Sequence, residues 1–211
     1  MTEVIARGLE GVNVTATKLC RIDGQKGELI YAGYNIFDLA EHSTFEETAF
    51  LLWNLRLPTR GELEELKASL RRERPLSDLN ARVLREIVGK IRPMRALEIS
   101  VIIAGALDPK SSDLSQEQLK KTAALLTARM PTVLARDHRL RQGLEPVPAR
   151  DDLGHAANFL WMLKGEEPNE LEARIFDVAM ILHAEHEMNA STFSALVTAS
   201  TLSDMYSAIA S

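Results

Sequence analysis

Apolar residues follow two different rhythms along this chain. Between residues 17 and 36 they come in short strand-like runs, Leu19 to Ile22 and Leu29 to Tyr34, flanking Asp23-Gly24-Gln25-Lys26-Gly27. Asp-Gly followed by a second Gly supplies the positive φ angles of a tight or bulged turn, so this stretch is predicted to be a β-hairpin. Beyond it the spacing lengthens to three and four residues. Ser43-x-x-Glu46 has the form of a capping box, and Phe45, Ala49, Leu51, Leu52 and Leu55 follow on roughly one face. Pro58 stops that helix and Thr59, three residues before Glu62, caps the next, with Leu63, Leu66 and Leu70 along its stripe. Residues 78–90 repeat the habit with Leu79, Val83, Leu84, Ile87 and Val88.

The run from Ala96 to Leu107 is apolar on most sides, as in a helix buried in a core or an oligomer interface. Gln116 to Arg141 forms one long helical pattern containing Pro131, where a lost backbone donor predicts a kink or two abutting helices. Gly143 to Asp152 reads as an extended connector, and His155 to Leu163 as a short helix ended by Gly165. Leu171 to Glu187 is predicted to be a helix with Ile175, Val178, Ala179 and Leu182 inward, and Ser191 to Ser211 another, rich in small residues. With no internal repeat and no low-complexity linker, residues 1–211 are expected to form a single, mainly helical domain with a short N-terminal hairpin. The last five residues stop inside an apolar pattern with no Gly cap, as expected if the chain is truncated there or something else covers that end.

Composition changes this picture little. Apolar residues make up 45% and aromatic residues 5%, a balance suited to helices packed through aliphatic side chains. The net charge is −5, and the densest basic run, Arg71-Arg72-Glu73-Arg74, is broken by acid, so no nucleic-acid partner is expected. The one cysteine, Cys20, allows no internal disulfide and fits a reducing compartment. No apolar stretch approaches a membrane span and the first residues carry no secretory pattern, so a cytoplasmic location is expected.

One segment concentrates chemistry: His183-Ala184-Glu185-His186-Glu187-Met188-Asn189-Ala190-Ser191. The predicted helix would bring His183 and His186 to one side. A zinc site would need a third ligand, and no other histidine stands in a ligand pattern. General acid–base work, binding of an anion, and a pair of buried, hydrogen-bonded histidines are the other readings the residues allow. The sequence contains no Gly-rich phosphate loop and no nucleophile with an obvious base.

A series of segments resembles citrate synthases of the bacterial and archaeal type, in the family's order. These are Gly8-Leu9-Glu10-Gly11-Val12; Ile22-Asp23-Gly24 through Gly27-Glu28-Leu29-Ile30-Tyr31 to Gly33-Tyr34; Ser43 to Glu47 and Leu57-Pro58-Thr59. Gly143 to Pro146, His155 to Leu160, His183 to Phe193 and Ser200 to Ala208 complete it. The resemblance implies the helical large domain of that family, a homodimer built on packed helices, and condensation of acetyl-CoA with oxaloacetate. His186 matches the histidine that binds oxaloacetate and Asn189 a position lining the same site. Ser191 matches a buttressing position, and His183 and Glu187 structural ones. No metal and no cofactor are implied, acetyl-CoA being a substrate. The enol-stabilising histidine, a second histidine, the catalytic Asp and the small domain belong to family segments beyond the equivalent of Ser211. The expectation is therefore a truncated or split large domain, with no catalytic residue of its own and inactive alone, completed by a C-terminal chain. The alternative is a non-catalytic dimerising subunit that pairs with a full-length synthase. Three places depart from the family pattern: Arg92-Pro93-Met94-Arg95-Ala96-Leu97-Glu98 stands for His-Pro-Met-Asp-x-x-Arg, Ala32 for Arg, and Asn35 for Asp.

Overall fold

The turn at residues 23–27 forms because the Asp23 carboxylate accepts the N–H groups of Gln25 (3.2 Å) and Lys26 (3.1 Å), and Gly27 takes a φ of 66°. In this computed structural model, which describes residues 14–211, the turn joins β1 (Cys20–Asp23) to β2 (Glu28–Tyr31). The Gly8–Val12 match lies outside the described residues. Antiparallel pairing sets Cys20 opposite Tyr31 and Asp23 opposite Glu28, so Cys20 and Tyr31 enter the core side by side. Ala32 and Gly33 then reverse the chain with positive φ, and a third strand, β3 (Tyr34–Asn35), extends the predicted hairpin to a three-stranded sheet in the order β1-β2-β3.

Asn35 ends that strand and caps α1 (Ile36–His42), its side chain accepting the Phe37 N–H at 2.9 Å. The next capping box sits one residue later than the pattern suggested. Thr44 and Glu47 form it at the head of α2 (Phe45–Asn54), while Ser43 closes α1. Glu46 is thereby left free to turn inward. Thr59 and Glu62 do form the predicted box at the start of α3 (Arg60–Glu73), and α4 (Asp78–Ile87) follows.

α5 (Pro93–Leu107) buries Ala96, Ser100, Val101 and Ala104 but leaves Ile102 58% exposed and Leu107 50% exposed, so only part of its apolar surface meets this chain. α6 (Gln116–Arg141) is one continuous helix with Pro131 inside it, and it packs on α3, α4, α5 and α7 (His155–Lys164). α8 (Glu170–Leu182) packs on α1, α2 and α7.

Two of the predicted helices are shorter than their patterns. α8 stops at Leu182 rather than Glu187, and it buries Asp177 and Ile181 while Ile175 faces out. The inward stripe is offset by one residue from the predicted one because a buried carboxylate, not an aliphatic, occupies the inward position. The pattern from Ser191 to Ser211 divides into α9 (Ala190–Ser200) and α10 (Met205–Ala210), broken where Leu202 takes a φ of 61°. Tyr206 explains how α10 docks. Its ring lies where a Cβ on Gly105 of α5 would stand, 2.8 Å away, and its hydroxyl donates to Asp108 at 2.8 Å. Burial and that carboxylate push the phenol up to about 12.

The connections between elements are polar and at least partly enclosed. Arg174 of α8 donates to the carbonyls of Ala40, Glu41 and Ser43, which α1 leaves open at its C-terminus. Asp177, one turn on, accepts the Phe45 N–H at the start of α2 (3.0 Å) and pairs with Arg174 at 2.9 Å. Glu46 accepts the His155 N–H (3.0 Å), tying α2 to the head of α7. No helix among the described residues is long and apolar enough to cross a membrane.

Candidate functional site

The chemistry-bearing segment is a loop, not a helix face. His183 is the C-terminal cap of α8, residues 184–189 are irregular, and Asn189 is the N-cap of α9, accepting the Thr192 N–H at 2.8 Å. His183 and His186 are both exposed, which excludes the buried histidine pair. His183 is nonetheless fixed, because its Nδ1 lies 2.7 Å from the Ala179 carbonyl. A carbonyl can only accept, so Nδ1 carries a proton and donates it to Ala179. Ser191 stands exposed in the first turn of α9.

The hairpin holds this loop in place. Tyr31, with no solvent exposure, directs its hydroxyl at the carbonyls of Glu185 (3.0 Å) and Leu182 (3.3 Å) and accepts the Glu185 N–H (3.3 Å). Glu187 reaches back to accept the Ile22 N–H at 3.2 Å, and its own N–H donates to the Glu185 carboxylate at 2.6 Å. These bonds hold Glu187 in the left-handed region, φ 54°, a conformation that costs a non-glycine residue about 1 kcal/mol. Cys20 packs beneath; burial, and then the hydrogen bond to Glu185, push its thiol up to about 12, so it remains a neutral thiol. His186 thus stands exposed between two backbone positions that are both tied to the sheet.

Three residues essential to this geometry, Cys20, Tyr31 and Glu185, were not among the sequence candidates. Their partners are more than 150 positions apart for Tyr31, and short-range patterns carry no signal of that pairing. Among the described residues no three His, Cys, Asp or Glu side chains converge as a metal site.

A second polar centre lies elsewhere. A concavity of about 390 Å³ is lined by Glu46, Lys67, Arg71, His155, Arg174 and Asp177 among others, and by none of the five predicted site residues. His155 is 3% exposed, stacks on Phe45 with ring centroids 5.1 Å apart, and is lowered to about 4 by burial, against the pull of Glu46. Its neighbour Arg74, 2% exposed, donates to the carbonyls of Arg150 and Leu153. A neutral, enclosed imidazole beside an enclosed guanidinium is a packing device that joins α2, α7 and the 143–153 connector.

The family model for "Citrate synthase, C-terminal domain" matches residues 8–211. The citrate synthase of Haloferax volcanii is 46% identical over 215 residues, covering 100% of this chain and 57% of that protein. The chain belongs to the citrate synthase family. Among solved structures, the citrate synthase of Pyrobaculum aerophilum superposes with a TM-score of 0.93 at 44% identity, covering 98% of this chain and 53% of that one. The ternary complex of Thermoplasma acidophilum citrate synthase with carboxymethyl coenzyme A and oxaloacetate superposes at 0.90 and 31% identity, over 99% of this chain and 55% of that one. The chain therefore has the mainly helical citrate synthase fold and spans about half the length of the relatives it matches. Two departures from the family pattern have local accounts here. Asn35 fills the cap position that an Asp would fill, and Arg95 pairs with Glu98 one turn along α5.

Proposed function

We propose that this chain supplies the oxaloacetate-binding wall of a citrate synthase-type site, with His186 as the residue that meets the substrate. The observation that carries this reading is the loop itself. A solvent-facing imidazole stands on a backbone pinned to the sheet at Glu185 and Glu187, so the ring is available while its attachment is fixed. Preorganisation of that kind lets a neutral or protonated imidazole donate a hydrogen bond to a keto oxygen or a carboxylate without first ordering the loop. The Thermoplasma relative solved with oxaloacetate supports the choice of ligand. Asn189, whose carboxamide oxygen is committed to Thr192, can offer its amide N–H groups to the same anion. Ser191, His183 and Glu187 shape the loop around it.

The family reaction, condensation of acetyl-CoA with oxaloacetate, also needs a carboxylate base to take the methyl proton and a second histidine on the enol. By resemblance both belong to later family segments, so we expect the 211 residues to bind the keto acid and not to turn over alone. Propionyl-CoA is the alternative acyl donor. Calorimetric titration with oxaloacetate, beside an assay of thiol release from acetyl-CoA, tests both halves. Absence of binding removes the His186 reading, and robust turnover by the 211-residue chain removes the claim of inactivity.

A second reading is favoured by the apolar surface on α5 and α9. α9 buries none of its residues, Val197 is 50% exposed, and Ile102 and Leu107 on α5 also face out. We propose that this surface supports a homodimer of packed helices, or pairing with a full-length synthase. Native mass spectrometry of the chain alone, and mixed with such a synthase, separates the two; a strict monomer in both removes this reading.

A further inference from the structure

The proposed function leaves another concavity unused. It measures about 500 Å³ and is lined by Asp78, Ala81, Arg82 and Arg85 of α4 and by Arg136 of α6. The α4 residues fall at i, i+3, i+4 and i+7, one helical face, and that face opposes α6, against which α4 packs. Three guanidinium groups therefore share one depression.

Their circumstances differ. Arg85 is satisfied, gripping Glu145 through both terminal nitrogens at 3.0 and 2.6 Å. Arg136 is not. It is half-buried, its Nε is fully enclosed with no acceptor within reach, and no carboxylate pairs with it among the described residues. Burial and then the neighbouring Arg85 charge disfavour its cation, and the Glu145 carboxylate, already gripped by Arg85, offsets them only in part. Arg82 stands exposed at the rim. Among the lining residues Asp78 is the one carboxylate, and Glu145, which also acts on Arg136 from beside the depression, is committed to Arg85.

A partly desolvated guanidinium beside a like charge is unfavourable unless an anion completes it. The planar fork of arginine matches an oxyanion that can accept two parallel hydrogen bonds, and a doubly charged one meets two forks at once. We propose that the α4–α6 depression is a binding site for a phosphoryl dianion, free or esterified, held by Arg136 and Arg82 with Arg85 as the rear charge. The site shares no residue with the His186 loop, so it stands or falls independently of the oxaloacetate reading.

The test is calorimetric titration of the 211-residue chain in phosphate-free buffer with inorganic phosphate and, separately, adenosine 5′-monophosphate, at matched ionic strength. Saturable binding of either is expected, with Arg136→Gln weakening it at least tenfold and Arg82→Gln severalfold. Equal affinity for the two probes supports a free oxyanion, and tighter binding of the nucleotide supports an esterified one. Arg82→Gln changes an exposed position and keeps the test valid should Arg136→Gln fail to fold, which circular dichroism reports. No saturable binding of either probe, or affinities unchanged in Arg82→Gln and in folded Arg136→Gln, overturns the proposal.

Discussion

Two histidines in this molecule occupy opposite circumstances. His155 is enclosed at the head of α7, stacked on Phe45, beside buried Arg74 and Glu46. His186 stands in solvent on the loop between α8 and α9. At His155 the side chain is held and serves the fold. At His186 the backbone is held, through Tyr31 and Glu187, and the side chain is left available. Chemistry needs the second arrangement, because a ring that must meet a ligand cannot be committed to the core.

The largest effect should come from breaking the buried centre. Arg74→Met removes the donor shared by Arg150 and Leu153 and leaves Glu46 buried with less compensation, for an expected loss of about 3 kcal/mol in chemical denaturation. Acid should find the same weakness. The His155 ring is lowered from 6.5 to about 4 in the folded chain, so above pH 6.5 it is neutral in both states and adds no pH dependence. Between pH 6.5 and 4 the unfolded chain takes up a proton that the folded chain refuses. Stability therefore falls as pH drops through that window, by a total on the order of 3 kcal/mol, and His155→Gln should flatten that part of the pH profile.

Loosening the loop is a smaller perturbation. Tyr31→Phe deletes one hydroxyl that serves three backbone groups of residues 182–185 and should cost about 1–2 kcal/mol, with faster hydrogen exchange at the Glu185 amide. On the proposed function it also weakens oxaloacetate binding without touching His186. His186→Ala should change stability by no more than about 0.5 kcal/mol while abolishing that binding. A large stability loss in His186→Ala, or none in Arg74→Met, would erase the contrast between the two regions.

Much of the fold was legible along the chain. Thr59 with Glu62, Gly165 after α7 and the Asp23–Gly27 turn each act within a few residues of themselves, so local chemistry announced them. The misreadings share one cause. Glu46, Asp177 and Arg174 look like surface polar residues, yet each is drawn inward by a backbone group on another element. Asp177 displaced the expected aliphatic stripe of α8. The end of α8 at Leu182 likewise reflects the hydroxyl of Tyr31 and the reach of Glu187 to Ile22, which draw residues 183–187 onto the sheet.

The candidate segment itself was legible as a concentration of His, Glu and Asn, and its resemblance to citrate synthases located His186 within it. Which side chains would face solvent was not. The sequence alone determined most of the element types, many of their boundaries and the family, because caps, turns and apolar periods act over a few residues. Only the tertiary structure decided that His155 is enclosed and His186 presented. Burial and backbone satisfaction depend on partners more than a hundred positions away, and no local pattern encodes which distant hydroxyl or carboxylate will answer a given amide.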